Sequence, residues 1–228
     1  MKHHIDALLK TLDEFYGTEI ICYLNHDTPF QLLVATILSA QCTDDRVNIV
    51  TADLFKKYPD VQHFANANIE ELELDIKSTG FYKNKAKNIM ACSQRLISNY
   101  DSQVPKEIED LTSLAGVGRK TANVVRGNIF GIESVVVDTH VKRISIRWGL
   151  TKSTDPVVIE HDLMAILPKS HWIRYNTQVI AHGRAICTAR KPQCKECMFL
   201  QDCPFGLEQL LQNMPPEVKI CLEKGHMY

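Results

Sequence analysis

The chain has 228 residues, 26 Lys plus Arg against 27 Asp plus Glu, 45% hydrophobic residues, 10 Gly and 9 Pro, the composition of one or two ordinary globular domains. Its longest apolar stretch, around Leu32 to Leu38, falls well short of the roughly 18 to 20 residues a bilayer span needs. Met1 to Lys10 alternates charged with apolar side chains, so neither a membrane span nor a secretory leader is expected. Eight Cys in a chain long enough for a sizeable core read as reduced thiols or metal ligands rather than a disulfide scaffold.

Taken in chain order, the pattern is helix after helix. Pro29 opens a run in which Phe30, Leu33, Val34, Ile37 and Leu38 recur at helical spacing, with Pro in the first turn, where its missing N–H costs nothing. Ile89, Cys92, Leu96, Ile97 and Tyr100 form a second stripe; Val141, Ile144 and Trp148 a third; Trp172, Tyr175, Val179, His182 and Ile186 a fourth. Asp44, Asn68, Asp138 and Asp155 stand at N-cap positions, and Tyr58-Pro59, Val104-Pro105 and Leu167-Pro168 read as helix ends. Only Val135 to Val137 looks briefly extended. The fold class expected is all-α.

The near-zero net charge hides an asymmetry: residues 111–200 hold 13 Lys or Arg against 6 Asp or Glu, the remainder 13 against 21. An electropositive region of this kind suits a polyanion.

Ile108 to Leu114 and Arg119 to Phe130 read as two helices joined by Ala115-Gly116-Val117-Gly118. Gly116 and Gly118 allow positive φ or a close backbone approach, and the first N–H groups of the second helix lack intrahelical partners. With Arg119 they can hold one phosphate without reading a base; the plainer alternative is a simple helical hairpin. Lys120 lies in the first turn of that helix, where the macrodipole disfavours a second cation and so favours a neutral amine able to attack a carbon. Asp138, delivered by an apolar run into a helix start, is an N-cap or a proton-handling carboxylate.

Cys187, Cys194, Cys197 and Cys203 follow with spacings of six, two and five intervening residues. A single close pair with irregular outer members suits a four-Cys 4Fe-4S cluster better than structural zinc. Arg190, Lys191 and Lys195 lie inside this loop, and a cluster pinning it would present cations to a phosphate backbone. Cys22, Cys42, Cys92 and Cys221 are scattered and read as incidental thiols.

These residues resemble the endonuclease III family of helix-hairpin-helix DNA glycosylases over nearly the whole chain. The matching segments are Leu38-Ser39-Ala40-Gln41 with Thr43-Asp44, Leu114 to Val125, Val137 to Arg143, and Ala181-His182-Gly183-Arg184 running into the cysteine loop. The resemblance implies a two-lobed helix-hairpin-helix fold. One lobe is a six-helix barrel at 23–132; the other joins 1–22 to 133–228 and carries a C-terminal iron-sulfur loop, with double-stranded DNA crossing between them. It further implies that a damaged nucleotide is flipped out, that Lys120 attacks the sugar C1′ to expel the base, and that the Schiff base undergoes β-elimination with help from Asp138. Gln41 would fill the gap and Phe81, or a neighbour in its loop, would wedge the opposite strand. Gly116, Gly118, Arg119, Lys191 and Lys195 would hold DNA, while Ser39, Asp44 and His140 would line or support the pocket.

The implied activity is that of a bifunctional glycosylase and abasic-site lyase acting on oxidised pyrimidines, as a cytoplasmic, nucleoid-associated monomer. A monofunctional mismatch glycosylase of the same fold would lack Lys120, and the adenine-specific kind places a Glu on the helix that here reads Leu33 to Gln41. A non-catalytic DNA clamp or an electron carrier leaves the pair Lys120 and Asp138 without a purpose. Ala115 departs from the Pro common at its position in the family, and Pro215-Pro216 suggests a loosely packed tail.

Overall fold

The computed structural model describes residues 2–212, with side chains from Ile5 onward. In chain order the α-helices are α1 (Lys2–Tyr16), α2 (Pro29–Leu38), α3 (Asp44–Lys57), α4 (Val61–Ala65), α5 (Ile69–Asp75) and α6 (Tyr82–Asn99). They are followed by α7 (Ile108–Thr112), α8 (Arg119–Phe130), α9 (Thr139–Arg147), α10 (Pro156–Ile166), α11 (Trp172–Ala185) and α12 (Pro204–Gln212). No β-strand occurs among the described residues. The chain forms two compact units, Ile21–Ser134 and Met1–Ile20 with Val135–Tyr228. Pro215-Pro216 and Cys221 lie outside the described residues.

The unit 21–134 is built round α2. Thr28 caps that helix by accepting the Gln31 N–H at 3.2 Å, Pro29 occupies its first position, and Phe30 to Leu38 are all buried. A helix apolar on nearly every side demands neighbours all round, and α3, α6 and α8 supply them. The chain between α3 and α6 is cut at Asn66, so α4 and α5 are separate short helices, making seven helices in this unit rather than the expected six. Asn68 caps α5 as the sequence suggested. Asp44 does not cap α3. Thr43 does, its hydroxyl accepting the Arg46 N–H at 3.3 Å, which leaves Asp44 and Asp45 in the first turn, where carboxylates complement the macrodipole.

The second unit packs α1 on α11 and α11 on α9 over a core that includes Leu12, Ile144, Trp148, Leu163 and Tyr175. Gly183 is a requirement of this packing: a Cβ there would lie 2.5 Å from His140 Nδ1 and 2.9 Å from Ile144 Cδ1. On α1, Asp13 accepts from Arg174 Nη2 at 3.0 Å and Gln178 Nε2 at 2.8 Å, tying α1 to α11. Burial works against that charge, but Gln178, Arg174 and His171 outweigh it and hold the Asp13 carboxyl below the ordinary carboxylate range. Asp138 and Asp155 cap α9 and α10. Val135 to Val137 forms no strand; Val135 and Val136 are buried in an irregular segment whose Val136 carbonyl accepts from Asn176 Nδ2 at 3.2 Å.

Candidate active site

The hairpin between α7 and α8 is anchored from within. Leu111, Leu114 and Val117 are buried, and the Val117 N–H donates to the Leu114 carbonyl at 3.1 Å. Gly116 adopts φ +77°, and a Cβ there would meet Asn88 Cβ at 2.9 Å, so only glycine fits. Gly118 differs: its φ is −90°, and a Cβ would have nothing within 4 Å. The fold itself makes no demand for glycine at 118, whereas an outside group approaching the backbone would.

Gly118 is the N-cap of the twelve-residue α8 and, having no side chain, supplies none of the hydroxyl or carboxylate capping usual at that position. Arg119 and Lys120 occupy its first turn and are exposed. A helix start without a side-chain cap and a primary amine are thus adjacent by construction, within one turn.

Two further sequence candidates sit on loops of the same unit. Gln41 lies beyond the end of α2, exposed and left-handed at φ 54°. Phe81 is left-handed at φ 49° and 65% exposed, so it is not a core aromatic. Such backbone is uncommon for non-glycine residues and concentrates at functional loops. Ser39 caps the end of α2 and donates through its hydroxyl to the Thr36 carbonyl at 2.9 Å. Asp44 is half-buried in the first turn of α3.

Lys85, which the sequence reading passed over, is buried and donates to the carbonyls of Leu38 and Thr79, each at 2.8 Å. Burial draws this amine below the ordinary lysine range against a smaller opposing pull from Cys42. Its signal was available: position 85 falls on the apolar stripe of Ile89, Cys92 and Leu96, where a lysine is out of place.

Asp138 and His140 belong to the other unit. One oxygen of Asp138 accepts the Val141 N–H at 2.7 Å, the plain capping role, and a carboxylate keeps a second oxygen for other work. His140 Nδ1 lies 3.2 Å from Arg143 Nη2, which also donates to the Cys187 carbonyl at 3.0 Å. His140 therefore takes part in the packing of α9 against α11, besides any part in a pocket.

Cys187, Cys194, Cys197 and Cys203 line a single small cavity with Trp148, His182 and Gly206. Burial, opposed by a backbone hydrogen bond at Phe199 and reinforced by the nearby Cys203, Cys187 and Cys194, pushes the Cys197 thiol up to about 11. Arg147, also missed in the sequence, donates to Cys187 Sγ at 3.2 Å and to the Thr188 and Ala189 carbonyls at 2.9 and 3.1 Å, so one guanidinium ties down the start of the loop. The Gly206 N–H donates to Cys203 Sγ at 3.3 Å. Burial and then Arg143 pull His182 down to about 4, so it sits neutral, sharing a 2.8 Å hydrogen bond with the Tyr16 hydroxyl. Among the described residues no three His, Cys, Asp or Glu side chains converge closely enough to hold one metal ion. Arg190, Lys191 and Lys195 are exposed on this loop.

Comparison with known proteins gives a consistent result. Residues 34–169 match the HhH-GPD superfamily base excision DNA repair protein. The chain is 54% identical over 184 residues to endonuclease III of Synechocystis sp., covering 80% of this chain and 84% of that protein. It is 46% identical over 186 residues to endonuclease III of Bacillus subtilis, covering 81% and 85%. Among solved structures, a trapped endonuclease III–DNA covalent intermediate superposes with a TM-score of 0.88 at 41% identity, covering 92% of this chain and 99% of that one. A thermostable thymine-DNA glycosylase shares the fold, with a TM-score of 0.80 at 21% identity and coverage of 90% and 98%.

Proposed function

The chain belongs to the endonuclease III family of base excision repair proteins and is a DNA glycosylase and abasic-site lyase acting on DNA, and we propose that Lys120 is the nucleophile of both activities. The observation that carries this is the placing of an exposed amine in the first turn of α8, directly after a glycine hairpin whose Gly118 backbone is open to a phosphate. With the phosphate held by backbone N–H groups and Arg119, the sugar of a flipped nucleotide is brought to a fixed point.

The Lys120 amine attacks C1′, the C1′–N bond breaks, and the departing base takes the electron pair and a proton. The amine nitrogen keeps its bond to C1′, and ring opening gives a Schiff base. Loss of a C2′ proton then drives the C3′–O bond to break, nicking the strand 3′ to the lesion. Asp138 is the group we assign to these proton transfers. Gln41 and Phe81, exposed in strained loops, fill the gap and part the opposite strand. Ser39, Asp44 and His140 support the pocket, and oxidised pyrimidines are the lesion class the family suggests.

For the cysteine loop, we infer a 4Fe-4S cluster held by Cys187, Cys194, Cys197 and Cys203. The shared cavity and the N–H···S contacts from Arg147 and Gly206 support it: four sulfurs spread round a body suit a polynuclear group with one thiolate per iron. When bound, the cluster supplies a rigid template for the loop. Arg190, Lys191 and Lys195 are then held in place for phosphates. We read the protein as a cytoplasmic, nucleoid-associated monomer, from its DNA substrate and from both activities residing in one chain.

The test is product analysis on two duplexes, one carrying an oxidised pyrimidine and one an abasic site. Wild type is expected to release the base and to leave an unsaturated aldehyde on the nicked 3′ end, and Lys120→Ala to do neither while still binding. Strand cleavage by the variant at the wild-type rate would overturn the assignment.

A further inference from the structure

Lys85 is the buried lysine among the described residues, 5% exposed, on a helix face where an unpaired ammonium is costly. Its Nζ spends two donors on backbone carbonyls far apart in sequence, Leu38 O and Thr79 O, each at 2.8 Å. Leu38 is the last residue of α2. In a continued helix its carbonyl would take the Cys42 N–H, but that group donates to Ser39 O at 3.1 Å as the chain turns away through Gln41. Thr79 stands just before Gly80 at φ +72° and Phe81 at φ +49°. One side chain therefore fastens the stems of both left-handed loops, three residues before Gln41 and two before Phe81. Left-handed non-glycine backbone persists only where the surroundings over-determine it, and here a shared ammonium contributes that constraint to both loops.

We propose that Lys85 is a positioning residue for base extrusion, clamping the Gln41 and Phe81 loops to each other so that gap filler and wedge enter the duplex as one rigid piece. The inference rests on the roles given above to Gln41 and Phe81. Lys85 itself touches no DNA: it acts through the two loops, and its effect is confined to paired substrate, where a base must be displaced and its partner strand held open. An abasic sugar in a single strand needs neither service.

The experiment is single-turnover kinetics with the full-length protein on a duplex bearing one ring-saturated thymine, beside a single-stranded oligonucleotide bearing one abasic site. Wild type, Lys85→Met, Gln41→Ala, Phe81→Ala and the Lys85→Met/Phe81→Ala double variant are compared. Lys85→Met is expected to slow duplex excision by on the order of ten- to a hundredfold and to cleave the single-stranded abasic site at close to the wild-type rate. The double variant is expected to be no slower than the slower single one, because an unclamped wedge is already ineffective. Equal loss on both substrates, or additive losses in the double variant, would show a merely structural lysine and overturn the proposal. So would a duplex rate unchanged in Lys85→Met but reduced in Phe81→Ala and Gln41→Ala. If those two variants themselves leave duplex excision unchanged, the DNA roles of the loops fall first. Should Lys85→Met not fold, Lys85→Gln, which keeps a shorter donor, goes through the same comparison with the same deciding outcomes.

Discussion

The hairpin loop at 113–118 and the cysteine loop at 187–203 both present cations beside a helix end, but they are held by different forces. The hairpin is fixed by the chain's own packing, with Leu114 and Val117 buried and Gly116 pressed against Asn88. The cysteine loop contains little regular structure, only two short 3-10 turns. It is held by Arg147 and Arg143 on its backbone carbonyls and by four thiols facing one cavity. The first loop is complete as folded. The second, with Cys187 and Cys203 buried and Cys194 and Cys197 half-buried round one cavity, is the loop for which we propose that a bound group completes the packing.

That contrast can be broken most forcefully by Cys197→Ala. If the proposed cluster is bound there, the change is expected to abolish the visible absorbance of an iron-sulfur group and to destabilise the protein by about 4 kcal/mol or more, because the binding energy of a structural metal group is folding energy. Calorimetry and absorbance together check this, and unchanged melting with the absorbance lost would mean the loop stands by itself. Arg147→Met removes the donors to Cys187 Sγ and two carbonyls and should cost about 1 to 3 kcal/mol, leaving two part-buried acceptors unsatisfied; iron content per chain is expected to fall with it.

The hairpin gives a sharper pair. Gly116→Ala, at φ +77° and with a contact at 2.9 Å, should lose about 2 kcal/mol of stability. Gly118→Ala, with open space round the new methyl, should melt within about 0.5 kcal/mol of wild type yet bind duplex DNA roughly tenfold more weakly as the phosphate is pushed off the helix start. Melting curves and titrations with duplex DNA read both; a Gly118→Ala protein that binds normally would remove the phosphate from this account.

The smallest effect concerns pH. Asp13 has a folded-state carboxyl below its unfolded value of about 3.9. Its contribution is therefore fully present above that value and is lost as pH falls through the lower folded one. Asp13→Asn should flatten the acid limb of stability in the unit carrying the cysteine loop, without altering iron content. An unchanged acid limb would shift that sensitivity elsewhere.

Much of this was legible in the sequence, for physical reasons. Two glycines either side of Val117 ahead of a helix start, a lysine in the first turn of that helix, and four cysteines within one short stretch are local signals. The predicted span of α8, 119–130, is the observed one. Three things escaped. Thr43 rather than Asp44 caps α3 because a threonine hydroxyl and an aspartate side by side are equivalent on paper, and only the backbone chooses between them. Arg147 looks like a surface arginine until the loop some forty residues later folds over it. Lys85 was marked by its place on an apolar stripe, but what it binds depends on two carbonyls brought together only by the fold.

The chemistry we propose turns on the amine at the start of α8 forming the covalent link to DNA. It is tested most directly by incubating the protein with an abasic duplex and sodium borohydride, digesting the trapped complex, and locating the sugar adduct by mass spectrometry. One adduct is expected, on Lys120, and none in Lys120→Ala. An adduct on another lysine, or no adduct while the duplex is bound, would contradict it.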